Sequence, residues 1–222
     1  MKTSLFVPAK CIICNAYAAP SEMPVCEECL YKLQDLLSEK CPHCGNTARD
    51  CSCISDIHTP FLFRQDTAKM MLYRFKYWGD KRYMRFLAEL GIKAAGINTA
   101  KFDGVTYVPR LPRRKRRYGF DQSKQLAKAI SQIYSIPFVP TLKRKGGLEQ
   151  KLLSRGARIK NAKDKYKVIC NPEKKYKNLL LVDDVTTTGA TLKVCAMILR
   201  ENCASRVTLF ALAKTPTLQP PF

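Results

Sequence analysis

The sequence predicts an α/β protein: a parallel sheet flanked by helices, with a small cysteine-rich module at its N-terminal end. Three observations carry that expectation. Eight of the eleven cysteines fall in the first 53 residues, at Cys11, Cys14, Cys26, Cys29, Cys41, Cys44, Cys51 and Cys53. After residue 100, short apolar runs alternate with amphipathic helical patterns, the order that builds parallel sheets. One of those runs, Leu179-Leu180-Leu181-Val182, ends in two carboxylates, Asp183 and Asp184, and Val185-Thr186-Thr187-Thr188-Gly189-Ala190-Thr191 leads from there into a helix. In such sheets ligands bind at the carboxyl ends of the strands.

Size and composition agree with one α/β domain plus a small module: 222 residues, 46% hydrophobic and 26% charged. No apolar run approaches about 18 residues and no apolar stretch follows the first Lys, so neither a membrane span nor a signal peptide is expected. The expected location is the cytoplasm, with any membrane association peripheral and through partners. Of the net charge of +21, residues 101–160 supply +13, from 16 Lys/Arg against 3 Asp/Glu. A patch of that kind suits a polyanion, either nucleic acid or pyrophosphate.

Three Cys-x-x-Cys pairs and one Cys-x-Cys, without a secretory signal, point to zinc rather than disulfides. Two such pairs make a closed site of four thiolates, which is structural because it leaves no open coordination position. Cys11/Cys14 is expected to join Cys26/Cys29, since a helix starting near Cys26 carries the second pair in its first turn. Cys41, Cys44, Cys51 and Cys53 would then hold a second ion, and an interleaved pairing remains open. His43, inside the third pair, reads as a bystander. The module is near neutral and turns negative once it holds metal, so it is expected to dock on the basic body of the protein or to pair with a partner.

Phe61-Leu62-Phe63 reads as a short strand. A helix over residues 67–78 with Met71, Leu72, Phe75 and Trp78 inward ends at Gly79. Asp80 caps the next, with Tyr83, Phe86, Leu87 and Leu90 on its apolar face. Gly104-Val105-Thr106-Tyr107-Val108 is a buried strand that Pro109-Arg110-Leu111-Pro112 terminates. Five consecutive cations follow, Arg113, Arg114, Lys115, Arg116 and Arg117, and then Tyr118-Gly119-Phe120. That loop either covers a pyrophosphate, whose oxygens a guanidinium fork meets bidentately, or tracks a nucleic-acid backbone with Tyr118 and Phe120 as stacking surfaces. Asp121 caps a helix whose apolar side holds Leu126, Ala129, Ile130 and Ile133. A short strand near Phe138 leads to a basic turn, Lys143-Arg144-Lys145-Gly146-Gly147. Residues 150–161 read as a basic helix, and Tyr166-Lys167-Val168-Ile169 as a strand. The last helix turns Leu192, Cys195, Ala196 and Leu199 inward before a final strand at 206–212. Pro216, Pro220 and Pro221 mark a loose tail.

The stretch from Leu179 to Thr191 has the chemistry of a phosphorylated-sugar site. Backbone N–H groups of the turn and the helix start attract a phosphate, Thr hydroxyls add donors, and Asp183 and Asp184 can accept hydrogen bonds from a ribose diol. Over all thirteen positions it resembles the signature for 5-phosphoribosyl pyrophosphate (PRPP) of type I phosphoribosyltransferases.

With the cysteine pairs, Phe75-Lys76-Tyr77-x-Gly79-Asp80, the basic loop into Tyr118-Gly119-Phe120-Asp121-Gln122, and the Gln150 to Asn161 pattern, nearly the whole chain resembles the ComF family of competence-associated proteins. The resemblance implies a double zinc ribbon over residues 1–56, a type I phosphoribosyltransferase-like fold over 57–215 and a tail over 216–222. It implies a role in natural transformation, handling incoming single-stranded DNA beside a competence helicase or a DNA-uptake channel component. By position, Asp183 and Asp184 would meet the ribose hydroxyls and serve as the catalytic pair. Thr186, Thr187, Thr188, Gly189, Ala190 and Thr191 would hold the 5′-phosphate, and Arg110 would lie at the pyrophosphate loop. Arg113 to Arg117 would form the flexible cover, with Mg2+ bridging the PRPP oxygens.

Three positions depart from the pattern. Asp121 stands where relatives usually have Asn, Thr186 replaces an apolar or aromatic residue, and Thr187 occupies the place of a third carboxylate that acts on the base in 6-oxopurine enzymes. Ordinary purine salvage is therefore not expected. Two alternatives to a DNA-handling PRPP binder follow: a working phosphoribosyltransferase with another acceptor, or a zinc-dependent scaffold with a vestigial transferase fold.

Overall fold

The computed structural model describes residues 10–17, 25–38, 41, 46–47, 56–62, 71, 73–74, 81–111, 119–145, 163–171 and 173–215. Among them the elements run α1 (Glu27–Ser38), β1 (Ile57–His58), β2 (Phe61–Leu62), α2 (Lys81–Ala94), β3 (Gly104–Tyr107), α3 (Gln122–Tyr134), β4 (Leu142–Arg144), β5 (Tyr166–Val168), β6 (Tyr176–Thr186), α4 (Ala190–Asn202) and β7 (Ala204–Lys214).

β6 is the spine of a wholly parallel sheet. On one side it pairs with β7 from Tyr176↔Ala204 to Thr186↔Lys214, and on the other with β3 from Gly104↔Leu179 to Tyr107↔Val182. β1 and β2 both lie on the outer edge of β7, and Phe138 bridges Val105 at the far edge. Successive side chains of a strand point to opposite faces. Leu180 and Val182 accordingly join Leu126, Ala127 and Ile130 of α3 on one face, while Leu179 and Leu181 join Leu192, Cys195 and Leu199 of α4 on the other. All four β6 residues are 0% exposed. A strand covered on both faces reads as an unbroken apolar run, which is why the sequence shows no alternation there.

Strand β6 is longer than the apolar run suggested, since the ladder to β7 continues through Asp183, Val185 and Thr186. β4 and β5 correct a second expectation. Lys143 and Arg144 lie in a strand rather than a turn, and that strand pairs antiparallel with β5 outside the main sheet. Leu142 and Tyr166 are buried in this pair, Lys143 is exposed, and half-buried Arg144 lies over the Tyr166 ring and donates to its Oη at 3.1 Å.

Among the described residues, the cysteine-rich end joins the main core through apolar contacts. One cluster of buried residues runs from Ile13, Val25 and Leu33 to Phe61, Met71 and Tyr83. One hydrogen bond among those described crosses the same seam, Arg74 Nη1 donating to Ile12 O at 3.2 Å, and Tyr83 Oη donates to Met71 O at 2.7 Å on the body side of it. Met71, Tyr73 and Arg74 are helical, while the rest of residues 67–80 lies outside the described residues, as do residues 146–162 and the tail. No helix among the described residues is long and apolar enough to cross a membrane.

Connectivity locates the functional end of the sheet. From β3 the chain passes through α3 to the outer edge at Phe138, whereas from β6 it passes through α4 to β7 on the opposite side. The direction of winding therefore reverses between β3 and β6. At such a switch point the loops after the two strands part and leave a crevice.

Candidate functional site

Arg110 follows β3 and Asp183 and Asp184 close β6, so the crevice is lined by a cation and two carboxylates. Arg110 Nη2 donates to Asp184 Oδ2, with side-chain exposures of 16% and 2%. A charge pair this buried is held by geometry and by the cost of leaving either partner alone. The helix beyond the basic loop supplies the remaining partners. Asp121, 5% exposed, accepts from Lys124 N at 3.2 Å as the cap of α3 and from Arg110 N at 3.3 Å. Ser123 Oγ donates to Asp183 Oδ1 at 2.8 Å, and Asp184 N donates to the same oxygen at 2.9 Å.

Burial and then the Asp184 carboxylate hold the Asp183 carboxyl well above the usual carboxylate range, although the Ser123 hydrogen bond pulls the other way. Among the described residues, Asp121, Asp183 and Asp184 gather around Arg110, and their oxygens are donors of the kind that suit Mg2+. Asp183 and Asp184 are the residues that would hold it.

Beyond β6 the turn is built for a close approach. Gly189 sits at φ 74°, in the left-handed region where a Cβ is costly, and α4 starts immediately after it. Thr187, Thr188, Ala190 and Thr191 are exposed, while Thr186 is buried beside Lys214, which is itself 2% exposed. Exposed hydroxyls thus surround the start of α4, where Ala190 N donates to Thr188 Oγ1 at 3.4 Å. The structure brings Arg110, Asp183, Asp184 and the Thr186–Thr191 turn to one place. Arg113, Arg114, Lys115, Arg116, Arg117 and Tyr118 lie outside the described residues, and Phe120 stands partly buried at the α2–α3 groove. Sequence reasoning missed Ser123 and the contact between Asp121 and Arg110. The signal was faint: both residues sit where a helix begins directly after a loop.

Cys11, Cys14, Cys26 and Cys29 form a separate cluster. Their four sulfurs lie within 4.8 Å of one another, and Cys14 Sγ is 3.6 Å from Cys26 Sγ. Zn–S bonds of about 2.3 Å in a tetrahedron place sulfurs about 3.8 Å apart, so the cluster fits zinc. The local fold makes this spacing cheap. Cys11 N donates to Ala16 O at 2.8 Å, closing a knuckle whose Asn15 takes φ 64°, a conformation Asn tolerates better than most residues. Cys41 N donates to Asn46 O at 2.7 Å, the same five-residue closure at the third pair. Cys44, Cys51 and Cys53 lie outside the described residues. Burial raises the Cys11 thiol, but backbone N–H groups of Cys14, Cys26 and Ile13 outweigh it and bring it down to about 6. Burial and its sulfur neighbours push Cys29 up. A thiolate at Cys11 beside two thiols, Cys14 and Cys29, that resist ionisation calls for a cation.

No known family model matches the chain. It is 28% identical over 211 residues to the competence protein ComFC of Bacillus subtilis, covering 86% of this chain and 84% of that one. It is 25% identical over 227 residues to competence protein F of Haemophilus influenzae, covering 94% and 98%. The DNA utilization protein YhgH of Salmonella typhimurium is 25% identical over 230 residues, covering 95% and 99%. A solved adenine phosphoribosyltransferase from Thermoanaerobacter pseudethanolicus superposes at a TM-score of 0.41 with 12% identity, covering 83% of this chain and 99% of that one, a likeness too loose to argue from. With its parallel sheet, its carboxylate-ended central strand and these relatives, the chain is a homologue of the ComFC and ComF competence proteins.

Proposed function

We propose that the protein is a competence-class, DNA-handling factor that binds PRPP in the crevice between β3 and β6. The observation that carries this reading is the Arg110–Asp184 pair spanning the switch point, one turn before the Gly189 loop. Asp183 and Asp184 accept the ribose hydroxyls. The amides and hydroxyls of Thr187 to Thr191 hold the 5′-phosphate at the start of α4, where backbone N–H groups point outward. Arg110 turns one donor from Asp184 to the pyrophosphate, since a guanidinium can serve carboxylate and phosphate from one fork. Asp183 and Asp184 would hold Mg2+ brought in with PRPP, and the ion would supply neutralisation of the pyrophosphate charge. Ser123 keeps Asp183 aimed through its hydroxyl bond to Oδ1.

Differential thermal melting with PRPP, with and without Mg2+, tests the site. A ligand at about 100 times its Kd stabilises by about 2.7 kcal/mol, so an upward shift of several degrees is expected with Mg2+ and a smaller one without. No shift at saturating PRPP overturns the reading. Release of pyrophosphate from PRPP, lost in Asp183→Asn/Asp184→Asn, would mark a working transferase, whose acceptor Thr187 does not deprotonate. The DNA-handling half rests on the relatives and on the +13 segment, and predicts single-strand affinity that falls steeply with salt.

A further inference from the structure

Helices α2 and α3 pack side by side over one face of the sheet, and a groove of about 560 Å³ runs between them on the solvent side. Lys81 and Arg85 of α2 line one wall, Gln125, Lys128 and Gln132 of α3 the other, and Phe120 the end nearest the basic loop. Lys81, Arg85, Gln125, Lys128 and Gln132 are exposed, and none of the lining residues is acidic.

Within α2 itself no acidic residue of the first turn lies near the cations on the groove wall. A helix N-terminus carries partial positive charge, so acidic residues stabilise it and cations weaken it. Yet α2 opens with Lys81 and Arg82, has Arg85 one turn on, and carries no acidic residue in its first turn. Its single carboxylate, Glu89, is engaged with Lys93 at 2.6 Å toward the other end. Cations gathered against the helix dipole are offset when an anion lies over them.

Spacing indicates what anion. Lys81 and Arg85 are i and i+4, about 6 Å apart along the helix, comparable to successive phosphates of an extended single strand. Lys128 of α3 lines the same groove, and its Nζ also lies 5.8 Å from the Phe138 ring toward the far edge of the sheet. Gln125 and Gln132 offer donors and acceptors to base edges without sequence demand, and partly buried Phe120 offers a ring face for a base. The groove suits a single strand, whereas a duplex meets only its rim.

We propose that this groove is the single-stranded DNA track of the protein, with Lys81, Arg85 and Lys128 on phosphates and Phe120 under a base. The assignment rests on the DNA-handling half of the proposed function. The track is separate from the PRPP crevice, yet adjacent to it, because Phe120 in the groove is followed by Asp121, which holds Arg110 N.

Fluorescence anisotropy of a labelled oligothymidylate across a salt series tests it with the full chain. Arg85→Ala/Lys128→Ala is expected to lose about tenfold or more in affinity at low salt and to flatten the salt slope by about 1.4, two phosphates at about 0.7 each. Arg85→Lys/Lys128→Arg should keep the slope. Phe120→Ala is expected to lose about tenfold with the slope unchanged, as stacking is insensitive to salt. The Mg2+-PRPP melting shift should survive in Arg85→Ala/Lys128→Ala, which checks the fold and the other site together. If wild type binds and both alanine variants match it in affinity and slope, the groove is not the track while the DNA-handling reading stands. If wild type does not bind at all, both fall. Polyglutamate that displaces the oligonucleotide equally at equal charge also overturns the assignment, since an unselective anion surface would suffice.

Discussion

Arg110 and Asp184 are paired across the point where the winding of the sheet reverses, joining the ends of two adjacent strands that lead to opposite sides of the molecule. The pair is a clasp on the crevice as well as part of its chemistry. Arg110→Ala leaves a carboxylate of 2% side-chain exposure without its guanidinium. Breaking a buried pair from one side costs about 3–5 kcal/mol. At roughly 2–4 °C per kcal/mol for a chain of this size, thermal melting should fall by about 6–20 °C. Arg110→Ala/Asp184→Asn should recover a large part of that loss, because no buried charge is stranded.

Asp183 is expected to behave in the opposite way. Its carboxyl is held well above the usual range by burial and by Asp184. A carboxyl whose folded-state pKa is raised contributes its stability fully below the unfolded value near pH 4, and loses it as pH rises through the folded value. At neutral pH a charge on Asp183 therefore costs the fold stability. Asp183→Asn keeps an acceptor for Ser123 Oγ and Asp184 N while removing that charge. Melting should rise by a few degrees at pH 7–8 and converge with wild type near pH 4, and the Mg2+-PRPP shift should shrink. A variant that is less stable at every pH would mean the charge is satisfied in the free protein.

These two residues also mark how much of the site was legible. Two adjacent carboxylates after four apolar residues, followed by Thr-Thr-Gly, are visible as a string, because strand, ligand end and turn are contiguous in sequence. Strand order is not contiguous, so the switch point and the Arg110–Asp184 pair, 74 residues apart, needed the sheet itself. β1 escaped notice since Ile57–His58 is too short to show any period. Lys143 and Arg144 looked like a turn because a strand pair of three residues a side, with only Leu142 and Tyr166 buried, is too short to show a period. The four-cysteine cluster was readable from spacing, for a knuckle fixes local geometry whatever surrounds it. Its apolar docking was hidden in Ile12, Ile13 and Leu33, which carry no pattern of their own.

That docking sets the expected effect of metal loss. Cys11 and Cys29 belong to the same buried cluster as Leu33, Phe61 and Tyr83. Without a cation the thiols cannot all ionise at close range, and the knuckle loses what holds its two halves together. Protein stripped with a strong chelator should melt earlier by about 10 °C or more, with α2 amides near Tyr83 losing hydrogen-exchange protection. Cys14→Ser should release zinc, measured by elemental analysis, and reproduce the stripped protein's melting. Unchanged protection around Tyr83 would show that the module and the sheet are energetically independent.

Gly104 offers a test of the sheet without touching either site. It opens β3 against Leu179 of β6, and a Cβ there would lie 2.7 Å from Leu179 Cδ2 and 2.7 Å from Val139 Cγ2, with Tyr176 Cδ1 at 3.3 Å. Squeezed from two sides, the added methyl cannot be accommodated by moving one neighbour alone. Overpacking of this kind costs about 1–3 kcal/mol, against a gain of well under that from the lower chain entropy of Ala in the unfolded state. Gly104→Ala is expected to lower the melting temperature by about 2–10 °C. Val139→Ala alongside it should restore part of the loss, because it removes one of the two clashing methyls. Failure of that rescue would place the strain on the β3–β6 side, at Leu179, and Leu179→Ala would then be the variant that relieves it.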